Sequence, residues 1–229
     1  AIWPVMLLIS VAVKWLVVGR LKPGAYPVWG LYYCRWWVAN LYQRLSWAHM
    51  FEGSPLMGLY MRAMGARVGR NVSLSTSICS AFDLVSIGND AAIGPETHIA
   101  GYRVEDGLLK LGNIDIGHDC FVGMHCSIGL DTVMKPGARL DDMSCLGDGE
   151  TIAAGEGMRG APATPALVAV PQPESNAKRR PILFGLVQLL LVYAMGYFLI
   201  LTGLPAIALV AYALFGSDVY VGVAAVVAA

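Results

Sequence analysis

The sequence predicts a left-handed parallel β-helix flanked by transmembrane α-helices, and three observations carry that expectation. From Ile116 to Ile152 every sixth residue is apolar and aliphatic in shape: Ile116, Val122, Ile128, Met134, Leu140, Leu146 and Ile152. A period of six fits neither an α-helix nor an alternating strand and marks a coil built from six-residue sides. The place after the aliphatic residue is usually Gly, and the fifth place is small at Cys120, Cys126, Thr132, Ala138 and Ser144, with Glu150 the exception. Both ends of the 229-residue chain are apolar runs, 56% of the residues are hydrophobic, only 14% are charged, and the mean hydropathy is +0.58.

Each six-residue unit reads as a short strand and a tight corner. The aliphatic and the small residue face inward, and Gly supplies a backbone that other residues resist. Three units close a triangular coil of about 18 residues, and successive coils pair at about 4.8 Å. The frame begins at Val68 and Leu74, slips by one before Ile87, Ile93 and Ile99, and resumes at Ile116. Residues 100–113 leave it, as a loop with a short hairpin (Tyr102 to Val104, Leu108 to Leu111) around Glu105, Asp106 and Gly107. This gives a β-helix domain over residues 67–165.

Ahead of it, residues 1–20 read as a transmembrane helix: Ile2 to Val18 is nearly all apolar but for Ser10 and Lys14, with Lys14 near enough to one end to reach the headgroups. Residues 21–66 form an aromatic helical pre-domain after a break at Pro23, Gly24 and Pro27. Trp29, Tyr32, Tyr33, Trp36, Trp37, Tyr42 and Trp47 suit the membrane–water interface and equally suit packing on the β-helix. Residues 166–180 are an irregular linker. Within residues 181–229, Ile182 to Leu201 carries no charge and reads as a spanning helix; a turn follows at Thr202 to Pro205, then a third apolar run broken at Gly216, Ser217 and Asp218. The basic residues Arg20, Lys22, Lys178, Arg179 and Arg180 flank these helices, so the positive-inside rule places the β-helix of an integral membrane protein on the cytoplasmic side. Because the chain starts and stops inside apolar runs, it reads as part of a longer polypeptide.

A net charge of zero without a basic stripe argues against a nucleic-acid partner. The five Cys form no C-x-x-C pair, and Cys120 and Cys126 occupy inward repeat places where a thiol packs as a small hydrophobe.

Several stretches together resemble one family. Lys14, Trp15, Gly19, Arg20, Pro23, Gly24, Pro27 and Trp29 resemble the approach to each soluble domain of the ε-poly-L-lysine synthetase class of nonribosomal peptide synthetases. Gly53 to Leu56 and Leu59 to Ala66 resemble the segment before its β-helix. Thr97-His98, Ser144, Gly149-Glu150-Thr151 and Arg159 to Ala163 resemble later landmarks, the last shared with hexapeptide acyltransferases at large. The resemblance implies an acyltransferase-like domain that forms amide bonds in an amino acid polymer. It also implies adenylation and carrier domains upstream, a phosphopantetheine-bound aminoacyl thioester as donor, and neighbouring homologous β-helix domains forming a trimer or pseudo-trimer. Membrane lipid is the further expected partner. Two other readings stand beside it: a CoA-dependent acetyltransferase using acetyl-CoA, and a non-catalytic scaffold prism.

Amide formation from a thioester needs a base for the attacking amine and donors for the oxyanion. Four His are available: His49, His98, His118 and His125. His49 lies in the aromatic pre-domain, and His118 and His125 sit at corner or outward repeat places. His98 follows the inward Thr97 where the chain leaves the prism for its long loop, and loops on rigid scaffolds concentrate function. The resemblance to acyltransferases of this fold, whose His lies near such a loop, makes His98 the expected catalytic base. On the loop, Glu105 or Asp106 is expected to orient it or bind the incoming amine, and Arg103 to hold a carboxylate. The seven-residue separation of His118 and His125 does not suit a shared metal, so none is expected.

Overall fold

The computed structural model describes residues 2–99, 101–168 and 181–215. The chain divides into two units, Ala1–Phe184 and Gly185–Ala229. The first is built on a left-handed parallel β-helix whose three faces follow from the six-residue frame. One face stacks Arg67–Val68, Val85–Ile87, Ile114–Ile116, Thr132–Met134 and Thr151–Ile152 in parallel. The second stacks Ser73–Leu74, Ala92–Ile93, Phe121–Val122, Arg139–Leu140 and Gly157–Arg159. The third aligns Cys79 with Ile99, His98 with Ser127, and Ser127–Ile128 with Cys145–Leu146. Ile116 pairs with Met134 and Met134 with Ile152, eighteen residues each. Val68 pairs with Ile87 across nineteen, the extra residue being taken up beside the short 3-10 turn Phe82–Leu84.

Burial follows the frame. Leu74, Ile87, Ile93, Ile99, Ile116, Val122, Ile128, Met134, Leu140, Leu146 and Ile152 are buried, as are the fifth-place Ala91, Thr97, Cys120, Cys126, Thr132, Ala138 and Ser144. Glu150 breaks the fifth-place pattern and instead accepts the Gly147 N–H at 2.8 Å, closing its own corner. Glycine at the second place has a reason other than the expected one. A Cβ on Gly88 would lie 2.5 Å from the Gly117 backbone, and one on Gly94 2.6 Å from that of Gly123, so close stacking of coils excludes a side chain there. The left-handed backbone falls at the fourth place, held by Asn71, Asp90, Glu96, Asp119, His125, Asp131 and Met143 as well as by Gly137 and Gly149.

Between Ile87 and Ile116 the spacing widens to twenty-nine residues. The excess is an antiparallel hairpin, Tyr102–Glu105 with Leu108–Leu111, turned by Asp106 and Gly107 at φ 52 and 72, as the Asp-Gly pair favours. The expected break at Pro23 to Pro27 is in fact a strand: Gly24–Pro27 pairs with Leu108–Leu111 and makes a three-stranded sheet. Helix α1 (Ile2–Val13) continues as a π-helix over Lys14–Val18. Helices α2 (Leu31–Leu45) and α3 (Pro55–Met64) follow. Leu21, Trp36, Ala81, Leu84, Leu109 and Leu111 form one buried cluster, with Tyr102 packed against it. The Trp36 and Tyr102 rings lie 4.7 Å apart. The inner aromatic face of residues 21–66 therefore packs on the hairpin, while Trp29, Leu31, Trp37 and Trp47 face outward.

The expected membrane anchoring at the N-terminus is corrected. The apolar helical stretch Val5–Val18 is shorter than the roughly 20 residues a spanning helix needs, and its polar groups are used inside the fold. Ser10 Oγ lies 3.1 Å from Tyr60 Oη, and Trp15 Nε1 donates to Ala63 O at 2.7 Å. Lys14, expected to reach headgroups, is buried and paired with Asp83 at 2.9 Å. Burial holds its ammonium below the ordinary lysine range, against the pull of Asp83. The integral-membrane, cytoplasm-facing placement rested on two spanning helices with basic flanks, and it falls with the first of them. Among the described residues one stretch, Leu183–Val210, is long and apolar enough to cross a membrane by length and composition. It belongs to helix α4 (Pro181–Phe215), which runs through the expected turn at Thr202 to Pro205 without a break. Thr202 Oγ1 donates to Phe198 O at 2.9 Å within that helix. The basic cluster Lys178 to Arg180, most of the linker and the apolar run beyond Phe215 lie outside the described residues.

Candidate functional site

Two surfaces of the prism present titratable side chains on a regular backbone. The first is the outer side of the third face. Thr97 points inward, its hydroxyl donating to Gly123 O at 2.7 Å. The next side chain must then point outward, which exposes His98. Two bonds to the next coil fix its backbone: its N–H donates to Cys126 O at 2.8 Å, and its carbonyl accepts from Ile128 N at 3.1 Å. In register along the face, Ile78 precedes it and Ser127 and Cys145 follow, one residue per coil. No hydrogen bond or ion pair joins the His98 ring to another described residue. The His98 imidazole is thus exposed on a hydrogen-bonded rung.

The loop residues are placed differently from expectation. Arg103 forms a two-pronged ion pair with Asp148, at 2.5 and 3.0 Å. Asp148 also accepts the Leu130 N–H at 2.8 Å, so Arg103 clamps the hairpin to a corner two coils away. Glu105 pairs with Lys110 across the hairpin; the Lys110 ammonium holds the Glu105 carboxyl below its usual range, and Glu105 holds Lys110 above its own. Asp106 is an exposed turn residue. None of the three bonds to His98 among the described residues, and the charges of Arg103 and Glu105 are answered within the fold.

The second surface is an open groove of about 590 Å³ along the first face and the corner after it, lined among others by Arg67, Ser86, Asp115, His118 and Lys135. Pairing orders it: Arg67 lies beside Ser86, Ser86 beside Asp115, and Asp115 beside Val133. His118, expected as a bland corner residue, is oriented here. Its Nδ1 accepts the Asn89 N–H at 2.9 Å, which puts the proton of the neutral ring on Nε2 and makes that nitrogen a donor. Sequence reasoning missed this surface. The signal was present in the residue just before each inward aliphatic, namely Arg67, Ser86, Asp115 and Val133.

His125 has a left-handed backbone, and its Nδ1 lies 3.3 Å from Glu96 Oε2 on the exposed corner. Cys79, Cys120 and Cys126 are buried, and burial raises their thiols above the usual range. Among the described residues no group of three or more His, Cys, Asp or Glu side chains is placed to hold a metal ion.

The stacked register and the single hairpin leaving it define a hexapeptide-repeat, acyltransferase-like fold. In sequence the chain is related to the poly-amino-acid synthetases. It is 32% identical over 155 residues, 68% of its length, to a delta-poly-L-ornithine synthetase from Acinetobacter baumannii, and the match spans 12% of that protein. No family model matches. Among solved structures it is similar to a maltose O-acetyltransferase from Clostridium difficile (11% identity, 67% of this chain, 95% of that chain, TM-score 0.49). Another is the serine acetyltransferase of Neisseria gonorrhoeae (17% identity, 71% of this chain, 67% of that chain, TM-score 0.38).

Proposed function

We propose that this chain is an acyltransferase domain that moves an acyl group from a pantetheine thioester to the amine of an amino acid, forming an amide. The observation that carries the reading is His98, exposed and without a side-chain partner among the described residues, on a backbone fixed by two inter-coil hydrogen bonds, in a chain related to a poly-ornithine synthetase. The amine nitrogen attacks the thioester carbon. His98 accepts the proton that this nitrogen gives up, the carbon–sulfur bond breaks, and the thiolate leaves and is protonated as the free thiol. A general base of this kind contributes about 10² to 10⁴ in rate.

The donor is either an acyl group on a carrier domain of the same assembly or one on coenzyme A; the pantetheine chemistry is shared. Neighbouring β-helix domains are the proposed partners, since His98 is exposed and no described residue bonds to its ring to orient it. The test is to incubate the chain with ornithyl-pantetheine carried on a carrier protein, ornithyl-CoA or acetyl-CoA, with L-ornithine as acceptor, and follow products by mass spectrometry. An ornithine dipeptide from the carrier-bound donor supports the synthetase reading. N-acetylornithine alone, from acetyl-CoA, supports the CoA-dependent one. No amide from any donor, by the chain alone or mixed with a homologous β-helix domain, would leave the scaffold reading in possession.

A further inference from the structure

The groove on the first face carries charges that no described residue answers. Arg67, Asp115 and Lys135 are exposed, line the groove, and make no hydrogen bond or ion pair through their side chains with any described residue. The contrast with the hairpin is sharp, because there Arg103 and Glu105 are both paired. The order along the prism axis also matters. Arg67 lies two coils before Asp115, and Lys135 follows Val133, the residue paired with Asp115. One carboxylate thus sits between two long cationic side chains, with the Nε2–H of His118 directed by the Asn89 bond beside them.

We propose that this groove binds an amino acid by both of its charges: the ammonium at Asp115, the carboxylate at Arg67 or Lys135 with the His118 Nε2–H as an added donor. The alternation of sign selects the class. A phosphate would meet the Asp115 carboxylate, and a polyamine would meet two cations, whereas an amino acid with separated ammonium and carboxylate satisfies both. Ser86, between Arg67 and Asp115, offers a hydroxyl at the midpoint. The groove thereby takes the recognition role that the sequence suggested for Arg103, Glu105 and Asp106. Within one chain the groove and His98 lie on different faces, so an amino acid held here would need a neighbouring prism to bring a His98 to it. The inference rests on the transfer reading and supplies its acceptor site.

The test is equilibrium binding to the whole 229-residue chain by calorimetry, without thioester, of four probes: L-ornithine, pentanoate, which lacks both amines, putrescine, which lacks the carboxylate, and inorganic phosphate. The expected result is saturable binding of L-ornithine, at least about tenfold weaker binding of the other three, and loss of about tenfold for L-ornithine in Asp115→Asn and in Arg67→Gln/Lys135→Gln. His98→Ala should bind L-ornithine as the unaltered chain does. Pentanoate or phosphate binding as tightly as L-ornithine, ornithine affinity unchanged in Asp115→Asn, or no ornithine binding at all overturns the inference. Because binding is read without turnover, a chain that binds as described yet forms no amide strikes the transfer reading alone. One that forms amide but binds without regard to Asp115 strikes this inference alone.

Discussion

The guanidinium of Arg103 grips both carboxylate oxygens of Asp148, 45 residues along the chain, and so pins the one long insertion of the β-helix to a corner of a later coil. The strand Gly24–Pro27 pins the same hairpin from its other edge. The hairpin is thus a braced part of the wall. Arg103→Ala should loosen it, raising amide hydrogen exchange over residues 102–111, at a cost in unfolding free energy of up to about 1 kcal/mol because the pair is half exposed. Asp148→Ala should cost more, by about 1–2 kcal/mol, since the Leu130 N–H also loses its acceptor. Weakened substrate binding in Arg103→Ala with hairpin exchange unchanged would instead return Arg103 to the recognition role.

The Lys14–Asp83 pair ties the N-terminal helical segment to the corner before the second coil. Lys14 is 3% exposed and Asp83 10%, and Asp83 Oδ2 also accepts the Leu21 N–H at 3.0 Å. Lys14→Met leaves a buried carboxylate without its cation and should destabilise the fold by about 3–5 kcal/mol. The double variant Lys14→Met/Asp83→Asn, which removes both charges but keeps an acceptor for Leu21, should recover most of that loss. Denaturant melts of the two variants measure it. A single variant as stable as the parent would mean that the helix is not docked as described.

The five thiols should separate by reactivity. Cys34 is exposed and Cys145 partly so, while Cys79, Cys120 and Cys126 are buried. Burial raises the last three above the ordinary thiol value of 9.0, so they stay protonated at neutral pH, and the thiolate is the reactive form. Iodoacetamide on the native chain at pH 7.5, read by peptide mass spectrometry, should label Cys34 first, Cys145 more slowly, and the other three only after unfolding. The sign for stability follows. Above pH 9 the unfolded chain releases these protons first, so the stability they contribute is present below that pH and declines as pH rises beyond it.

The repeat made much of this fold legible. The six-residue frame placed the inward residues from Ile87 to Ile152, located the one-residue slip before Ile87, and exposed the insertion, where Asp106-Gly107 marked a hairpin turn. What it concealed depends on contacts distant in sequence. Gly24 to Pro27 reads as a break because Pro and Gly are poor inside strands, yet it forms an edge strand against residues 108–111, where no full ladder is required of it. The apolar composition of Val5–Val18 suits a docked helix as well as a spanning one, and what separates the two is contacts far along the chain: Ser10 with Tyr60, Lys14 with Asp83 and Trp15 with Ala63. The groove was hidden for a similar reason. Arg67, Asp115 and Lys135 come together only when the coils stack, and a loop with four charged residues draws attention first. His98 stood out by its place next to the insertion, and the structure leaves it exposed, with no bond from its ring to another described residue.

On the proposed mechanism His98 takes the proton of the attacking amine. The most direct measurement is the rate of amide formation from a pantetheine thioester to L-ornithine by the unaltered chain and by His98→Ala, with the ornithine affinity of each measured alongside. That mechanism entails a fall in rate of about 10² to 10⁴ with affinity unchanged. An undiminished rate in His98→Ala would contradict it.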